Sequence, residues 1–444
     1  MQPWMALPKL PCFMIWIYRL LFPLMLLVLL PKQVARMRKR GGYERDWQQR
    51  FGKLGSIPAK RGKRIWLQAV SVGELNAIGP LLAYLDAAGV EIALSTTTST
   101  GYALALEKYA EYCVKVFQFP LDWWPFSARA WAAIQPDLIV QMESELWPEH
   151  LHRAHSRKVP VILANARLSD RSFASYQKKP WLAKWLLGYL DCALASSGEA
   201  KQRLEALGLP CERIELTGNI KLDVSVDPLL DAVSKITLLC EMGFTDVGPK
   251  PFVLMGSSTW PGEEAMLLDA LKQLRVSNLD ARLLIVPRHA ERKEEIAQLL
   301  KQEADAGSYH FRSDAKQARP GTLIYIGDTT GELTRLSQVA SIVFIGKSLP
   351  PNDGGQTPIE AAALGLPILY GPAMSNFREA CRELEARSAA LHLDDAAACQ
   401  QAILQLAQSQ QQRMQLAQAA KAWHSDSQGA TQRAMDKILE MLGG

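Results

Sequence analysis

The stretch RIWLQAVSVGELNAIGPLLAYLDAA, residues 64–88, contains a strand, a turn and a helix in succession. The apolar run IWLQAV suits a strand covered on both faces of a parallel sheet. SVGE at 71–74 fits a capping box, in which the Ser71 side chain accepts an amide of the first turn and Glu74 reaches back. The stretch after it repeats apolar residues at helical spacing. A lone carboxylate, Glu74, is thereby set at the carboxyl end of a strand, where ligands bind in open α/β sheets. Two roles are open to it: a cap that supports the helix dipole, or an acid presented to a ligand.

The same rhythm runs outward in both directions. VEIALSTT, DLIVQM, VPVILANA and CALASS read as further buried strands, with helical patterns between them. After TGNIKLDVSVDP the strand pattern lapses, and a Gly/Pro cluster at 243–251 reads as a linker. A second series follows: PFVLMGSS, ARLLIVPRH, TLIYIGD, SIVFIGKS and PILYGP. The fold expected is α/β, with two Rossmann-like domains at 33–240 and 241–425 facing a cleft, and a closing helix at 426–444. A chain of 444 residues is long enough for two such cores.

Charge is uneven along the chain. Residues 1–64 carry a net of +12, although the whole chain carries only +5. A basic amino-terminal segment on an acidic body excludes general nucleic-acid binding and points to a local use of the charge. Residues 10–30 are almost wholly apolar, interrupted by Arg19 and Pro23, and are followed by Lys32, Arg36, Arg38, Lys39 and Arg40. This pattern predicts a membrane anchor within 1–32, spanning or interfacial, with the body on the cytoplasmic side and a basic run against anionic lipid. Seven scattered cysteines, none in a C-x-x-C pair, suit reduced thiols rather than disulfides or a zinc site.

The strand ends of the second half suit an anion. GSSTWPGEE at 256–264 places small and hydroxyl residues before a helix, where amides and the dipole favour phosphate. Arg288 ends the next strand and can pair with phosphate. Gly354-Gly355 permit close backbone approach, and Glu360 follows where a nucleotide ribose would lie. Neither a GxGxxG dinucleotide fingerprint, a P-loop nor a GxSxG elbow is present. His150, His152 and His155 do not share a helix face in a ligating pattern, so no metal and no cofactor are expected.

SVGE, TTTSTGY, ESELWP, NARLSDRS, TGNIKLD, STWPGEE, PRH, GDTTGEL and GGQTPIEAAALGLPILYGP occur in this order over residues 10–385. In this the chain resembles the 3-deoxy-D-manno-octulosonic acid (Kdo) transferases of lipopolysaccharide synthesis. The resemblance implies a GT-B glycosyltransferase that works without a metal ion. It implies CMP-Kdo as donor, the lipid A precursor as acceptor, and inversion at the anomeric carbon. By position it makes Glu74 the general base and assigns Ser71, Gly73, Glu143 and Glu145 to acceptor or Kdo binding. It assigns Ser258, Arg288, His289, Gly327, Asp328, Thr329, Gly346, Ser348, Gly355 and Glu360 to CMP-Kdo. The chain departs from the family pattern at Gln68 and Trp260, where the family often has His, at Lys347, where it often has Gly, and at Gln356-Thr357, where it often has His-Asn.

In this reading a carboxylate takes the proton of an attacking sugar hydroxyl, and the dipole beside Glu74 keeps it ionised. Two other readings remain: a membrane-face GT-B enzyme using a different nucleotide sugar, and a membrane-anchored scaffold with a decayed site.

Overall fold

Strand β1 (Arg64–Gln68) is buried along its whole length, as a strand covered on both faces must be. The computed structural model describes residues 12–39, 46–223, 226, 228–245 and 250–443, with side chains from 13 to 27 in the first stretch. The chain divides into two units, one running up to Asp223 and regaining Ser427–Gly444, the other being Val224–Asp426.

In the first unit β1 is joined by β2 (Glu91–Thr96), β3 (Lys115–Gln118), β4 (Leu138–Met142), β5 (Val161–Ala166), β6 (Cys192–Ala195) and β7 (Ile214–Leu216). All pair parallel, in the order β3-β2-β1-β4-β5-β6-β7. The sheet grows leftward from β1 and then restarts at β4 on its other side. The carboxyl ends of β1 and β4 therefore flank a topological switch point, where a crevice opens between helices that leave in opposite directions.

The second unit repeats the plan with β8 (Phe252–Thr259), β9 (Ala281–Pro287), β10 (Tyr309–Phe311), β11 (Ile324–Ile326), β12 (Ile342–Ile345), β13 (Ile368–Tyr370) and β14 (Ala390–His392). Its order is β10-β11-β9-β8-β12-β13-β14, again all parallel, with the switch between β8 and β12. Two parallel seven-stranded sheets of this kind are the α/β, GT-B-like class expected from the sequence.

The division falls earlier than the Gly/Pro linker suggested. The helix Ala232–Glu241 belongs to the second unit, because Glu241 pairs with Arg335 and the backbone of Cys240 and Gly243 accepts from Gln317 and Gly321. The last helix, Ala430–Gly443, packs on the first unit against Val72–Ala87 and buries Ala434, Met435 and Ile438.

The amino-terminal helix, Cys12–Lys39, lies on the first unit. Ile15 and Phe22 are buried, Tyr18 donates to Asp122, and Arg19 makes a two-pronged pair with Glu149. Arg19, the charge that interrupts the apolar run, is thus neutralised by the body. Phe13, Trp16, Ile17, Leu20, Leu24 and Leu27 are exposed. Among the described residues no helix is long and apolar enough to cross a membrane. Residues 1–11 of the expected anchor, and Arg40 of the basic run, lie outside the described residues.

Candidate active site

At the switch point of the first sheet, Ser71 caps the helix Val72–Ala87 by accepting the Glu74 N–H at 3.3 Å. The Glu74 carboxylate accepts from the Ser71 hydroxyl and from the Val70 N–H, each at 2.8 Å. This is a capping box with its return bond moved one residue back. Glu74 is 6% exposed. Burial raises its pKa and outweighs the Val70 and Ser71 hydrogen bonds. A Cβ on Gly73 would meet the Ser71 hydroxyl at an ordinary contact distance, 3.9 Å.

The loop after β4 brings two more acids. Glu143 takes a left-handed backbone, φ 59°, and pairs with both Arg167 and Lys221. Glu145 accepts the Trp147 indole N–H at 2.8 Å. Its pKa is pushed up to about 7, first by burial and then by the negative charge of Glu74. Glu143 also raises Glu74, and Lys221 lowers it. Three carboxylates and two cations therefore share the end of β1 and β4. Arg167 and Lys221 were not singled out in the sequence, although both stand in strand-end motifs, NARLSDRS and TGNIKLD.

The raised Glu145 gives a stability signature. The folded chain keeps this proton at pH values where the unfolded chain has released it, so stability falls as pH rises from 4.5 towards 7. The fall contributed by this group is about 3 kcal/mol. In urea titrations across this window, Glu145→Gln is expected to flatten the slope. An unchanged slope would place the shift elsewhere.

Deeper in the crevice, Gln68 and Gln141 sit opposite one another on β1 and β4 and share a 3.2 Å hydrogen bond. The three histidines stand apart, His152 and His155 packing on Tyr189. His150 is buried among Trp66, Phe119 and Trp131, accepts the Trp131 indole N–H, and is held neutral with its pKa lowered to about 3 by burial.

The second unit places its expected donor residues around the β8/β12 switch point and the neighbouring strand ends. Ser258 sits in a left-handed turn, φ 54°, at the end of β8. Gly346 is required by packing: a Cβ there would lie 2.3 Å from the Ser258 carbonyl oxygen. Gly355, φ 67°, leaves no room beside Met374, and Gly327 none beside Leu336. The Ser348 side chain is fully buried and bridges loops, donating to Ile345 and accepting from Gly371. Asp328 holds the Ser313 N–H and hydroxyl, and Thr329 donates to Glu332. These three shape the loops with bonds already made within the protein.

Arg288 differs from them. Its side chain is exposed, and among the described residues it has no carboxylate partner. Arg292, four residues on, is fully paired with Glu264 and Glu295. His289 contacts Glu291 at 3.2 Å and packs edge-on to Trp260. Glu360 is largely buried in the short helix Ile359–Ala363, and burial raises its pKa.

Glu263 organises this site and was missed in the sequence, where it reads as one of two first-turn acids. It is 1% exposed, and its carboxylate accepts four backbone N–H groups, those of Trp260, Lys347, Ser348 and Leu349. One acid thus fixes the loops after β8 and β12 together. Glu263→Ala leaves these donors unsatisfied and is expected to destabilise the protein by about 3 kcal/mol. Chemical denaturation measures this; a loss below about 1 kcal/mol would show the loops hold without it.

Residues 45–224 match the family described as 3-deoxy-D-manno-octulosonic-acid transferase (kdotransferase). The chain is 32% identical over 423 residues to the 3-deoxy-D-manno-octulosonic acid transferase of Bordetella pertussis, covering 92% of this chain and 95% of the relative. It is 31% identical over 407 residues to that of Haemophilus influenzae, covering 90% and 92%. Among solved structures, a putative UDP-N-acetylglucosamine 2-epimerase from Listeria monocytogenes shares the fold at 14% identity, with a TM-score of 0.55 over 85% of this chain and 96% of that one. With relatives of this similarity aligned over nearly their whole length, the chain belongs to the 3-deoxy-D-manno-octulosonic acid transferase family.

Proposed function

We propose that this chain is a glycosyltransferase that moves Kdo from CMP-Kdo to the lipid A precursor, with inversion, in lipopolysaccharide synthesis. The observation that carries the reading, beside family membership, is the placement of Glu74 with Glu143 and Glu145 at the β1/β4 switch point. A sugar hydroxyl is a weak nucleophile. A carboxylate within hydrogen-bond reach takes its proton as the new bond forms. Glu74 performs this step, and its raised pKa makes it a better base than an exposed glutamate once ionised. Ser71 holds the carboxylate, and Gly73 stands in the same first turn beside the acceptor. Glu143 and Glu145 bind the acceptor or the Kdo unit, with Arg167 and Lys221 balancing the charge of Glu143.

In the same reading the second unit binds the donor. Ser258, His289, Gly346, Gly355 and Glu360 line the nucleotide, while Gly327, Asp328, Thr329 and Ser348 set the loop shapes. Arg288, with no carboxylate partner of its own among the described residues, meets the charge developing on the leaving phosphate. The acceptor is a lipid, and the exposed apolar stripe of the helix Cys12–Lys39 seats the body in the cytoplasmic face of the inner membrane. Tyr18 and Arg19 on that helix fasten it to the first unit.

A nucleotide panel tests the donor assignment. Cytidine monophosphate should raise the melting temperature more than uridine or guanosine nucleotides at equal concentration, since stabilisation grows with the logarithm of ligand concentration over Kd. Equal or greater stabilisation by a uridine nucleotide would assign the enzyme another donor.

A further inference from the structure

Trp260 and Lys347 stand in the loops after β8 and β12. The structure brings these two side chains into contact. The Lys347 Nζ lies 4.7 Å from the centre of the Trp260 ring, and the ring also packs edge-on to His289 at 5.4 Å. Both backbones are tied to one carboxylate, Glu263, at 2.8 and 2.9 Å. A Cβ on Gly354 would lie 3.5 Å from the same ammonium, so Lys347 also reaches the Gly354-Gly355 turn.

Two features make this more than packing. Lys347 adopts a left-handed backbone, φ 59°, which glycine takes freely and a side chain does not. A lysine is kept where its backbone is strained. Its charge is also intact. Lys221, Lys293 and Lys272 each meet a carboxylate, but among the described residues no carboxylate pairs with Lys347. An aromatic face positions a cation without neutralising it. The Trp260 indole N–H is itself buried with no acceptor, a second unused donor in the same loops.

We infer that Lys347, steadied by the Trp260 ring, receives an anionic group of the donor and that the pair sets the affinity for that anion. CMP-Kdo offers two groups of this chemistry, the phosphodiester and the sugar carboxylate. The inference rests on the donor-site reading of these loops given above.

The test uses the full-length enzyme and the variants Lys347→Gly, Lys347→Met, Trp260→Phe and Trp260→Leu. Lys347→Gly relieves the backbone, so its melting temperature should equal or exceed that of the wild type. Its KM for CMP-Kdo should nonetheless rise about tenfold, with kcat changed by less than about twofold, as for loss of one charged contact. Lys347→Met and Trp260→Leu should match it, whereas Trp260→Phe keeps a ring and should stay within about threefold of wild type. Calorimetry with CMP and with cytidine separates the anions. A parallel loss for CMP assigns the phosphate, and a loss for CMP-Kdo alone assigns the carboxylate. Either result supports the inference. An unchanged KM in Lys347→Gly, or an equal loss for cytidine, which carries no anion, overturns it. If the wild-type enzyme binds no CMP-Kdo, the donor reading itself falls, and this inference with it.

Discussion

Glu74→Gln is expected to lower Kdo transfer about 10³-fold while leaving CMP affinity within about twofold. The amide keeps the size of the side chain; its one oxygen can accept the Val70 N–H while its NH2 donates to the Ser71 oxygen, so both anchoring contacts keep a partner. It cannot take a proton. Because the fold keeps its cap, loss of activity cannot be ascribed to a melted helix. Glu74→Ala also removes the side-chain bonds to Val70 and Ser71, leaving only the Ser71 cap, and should cost about 1 kcal/mol of stability in addition. The pair of variants separates the two roles that the sequence left open. Turnover by Glu74→Gln at a tenth of wild type or better would leave Glu74 a cap alone. Because burial raises the Glu74 pKa, wild-type kcat/KM should climb with pH from the ordinary carboxylate range upward, and this limb should vanish in Glu74→Gln.

Arg288→Ala should reduce kcat/KM by about 10²-fold, the loss seen when one group facing developing charge is removed. The guanidinium is exposed and has no internal partner among the described residues, so its removal leaves no buried charge behind and stability should hold. Arg292 provides the contrast. It is held by Glu264 and Glu295, and its loss would strand a buried carboxylate and act through folding. Unchanged donor affinity and unchanged kcat in Arg288→Ala would remove the phosphate role.

Much of the fold was legible in the sequence, for a physical reason. Central strands of a parallel sheet are buried on both faces, so they read as unbroken apolar runs, and each run ends where a ligand would sit. The four strands that the sequence did not disclose, β3, β7, β10 and β14, are the four edges of the two sheets. They are three or four residues long, and β7, β10 and β14 bury only part of their length. The boundary between units was misplaced because a Gly/Pro cluster looks like a linker whether or not its flanks pack on one body. Glu263 was hidden because an acid in a first turn has an ordinary use. Only coordinates show that its oxygens meet four amides from two loops. The raised pKa values of Glu74 and Glu145 depend on burial and mutual charge, which no local pattern displays.

The central claim is that Glu74 activates a sugar hydroxyl of a lipid for attack on CMP-Kdo. Mass spectrometry of a lipid A precursor, incubated with CMP-Kdo and either wild-type or Glu74→Gln enzyme, tests it directly. Lipid heavier by one or more Kdo units with the wild type, and unmodified lipid with Glu74→Gln, is the expected outcome. Unmodified lipid with the wild type, or equal product from both, would contradict the account.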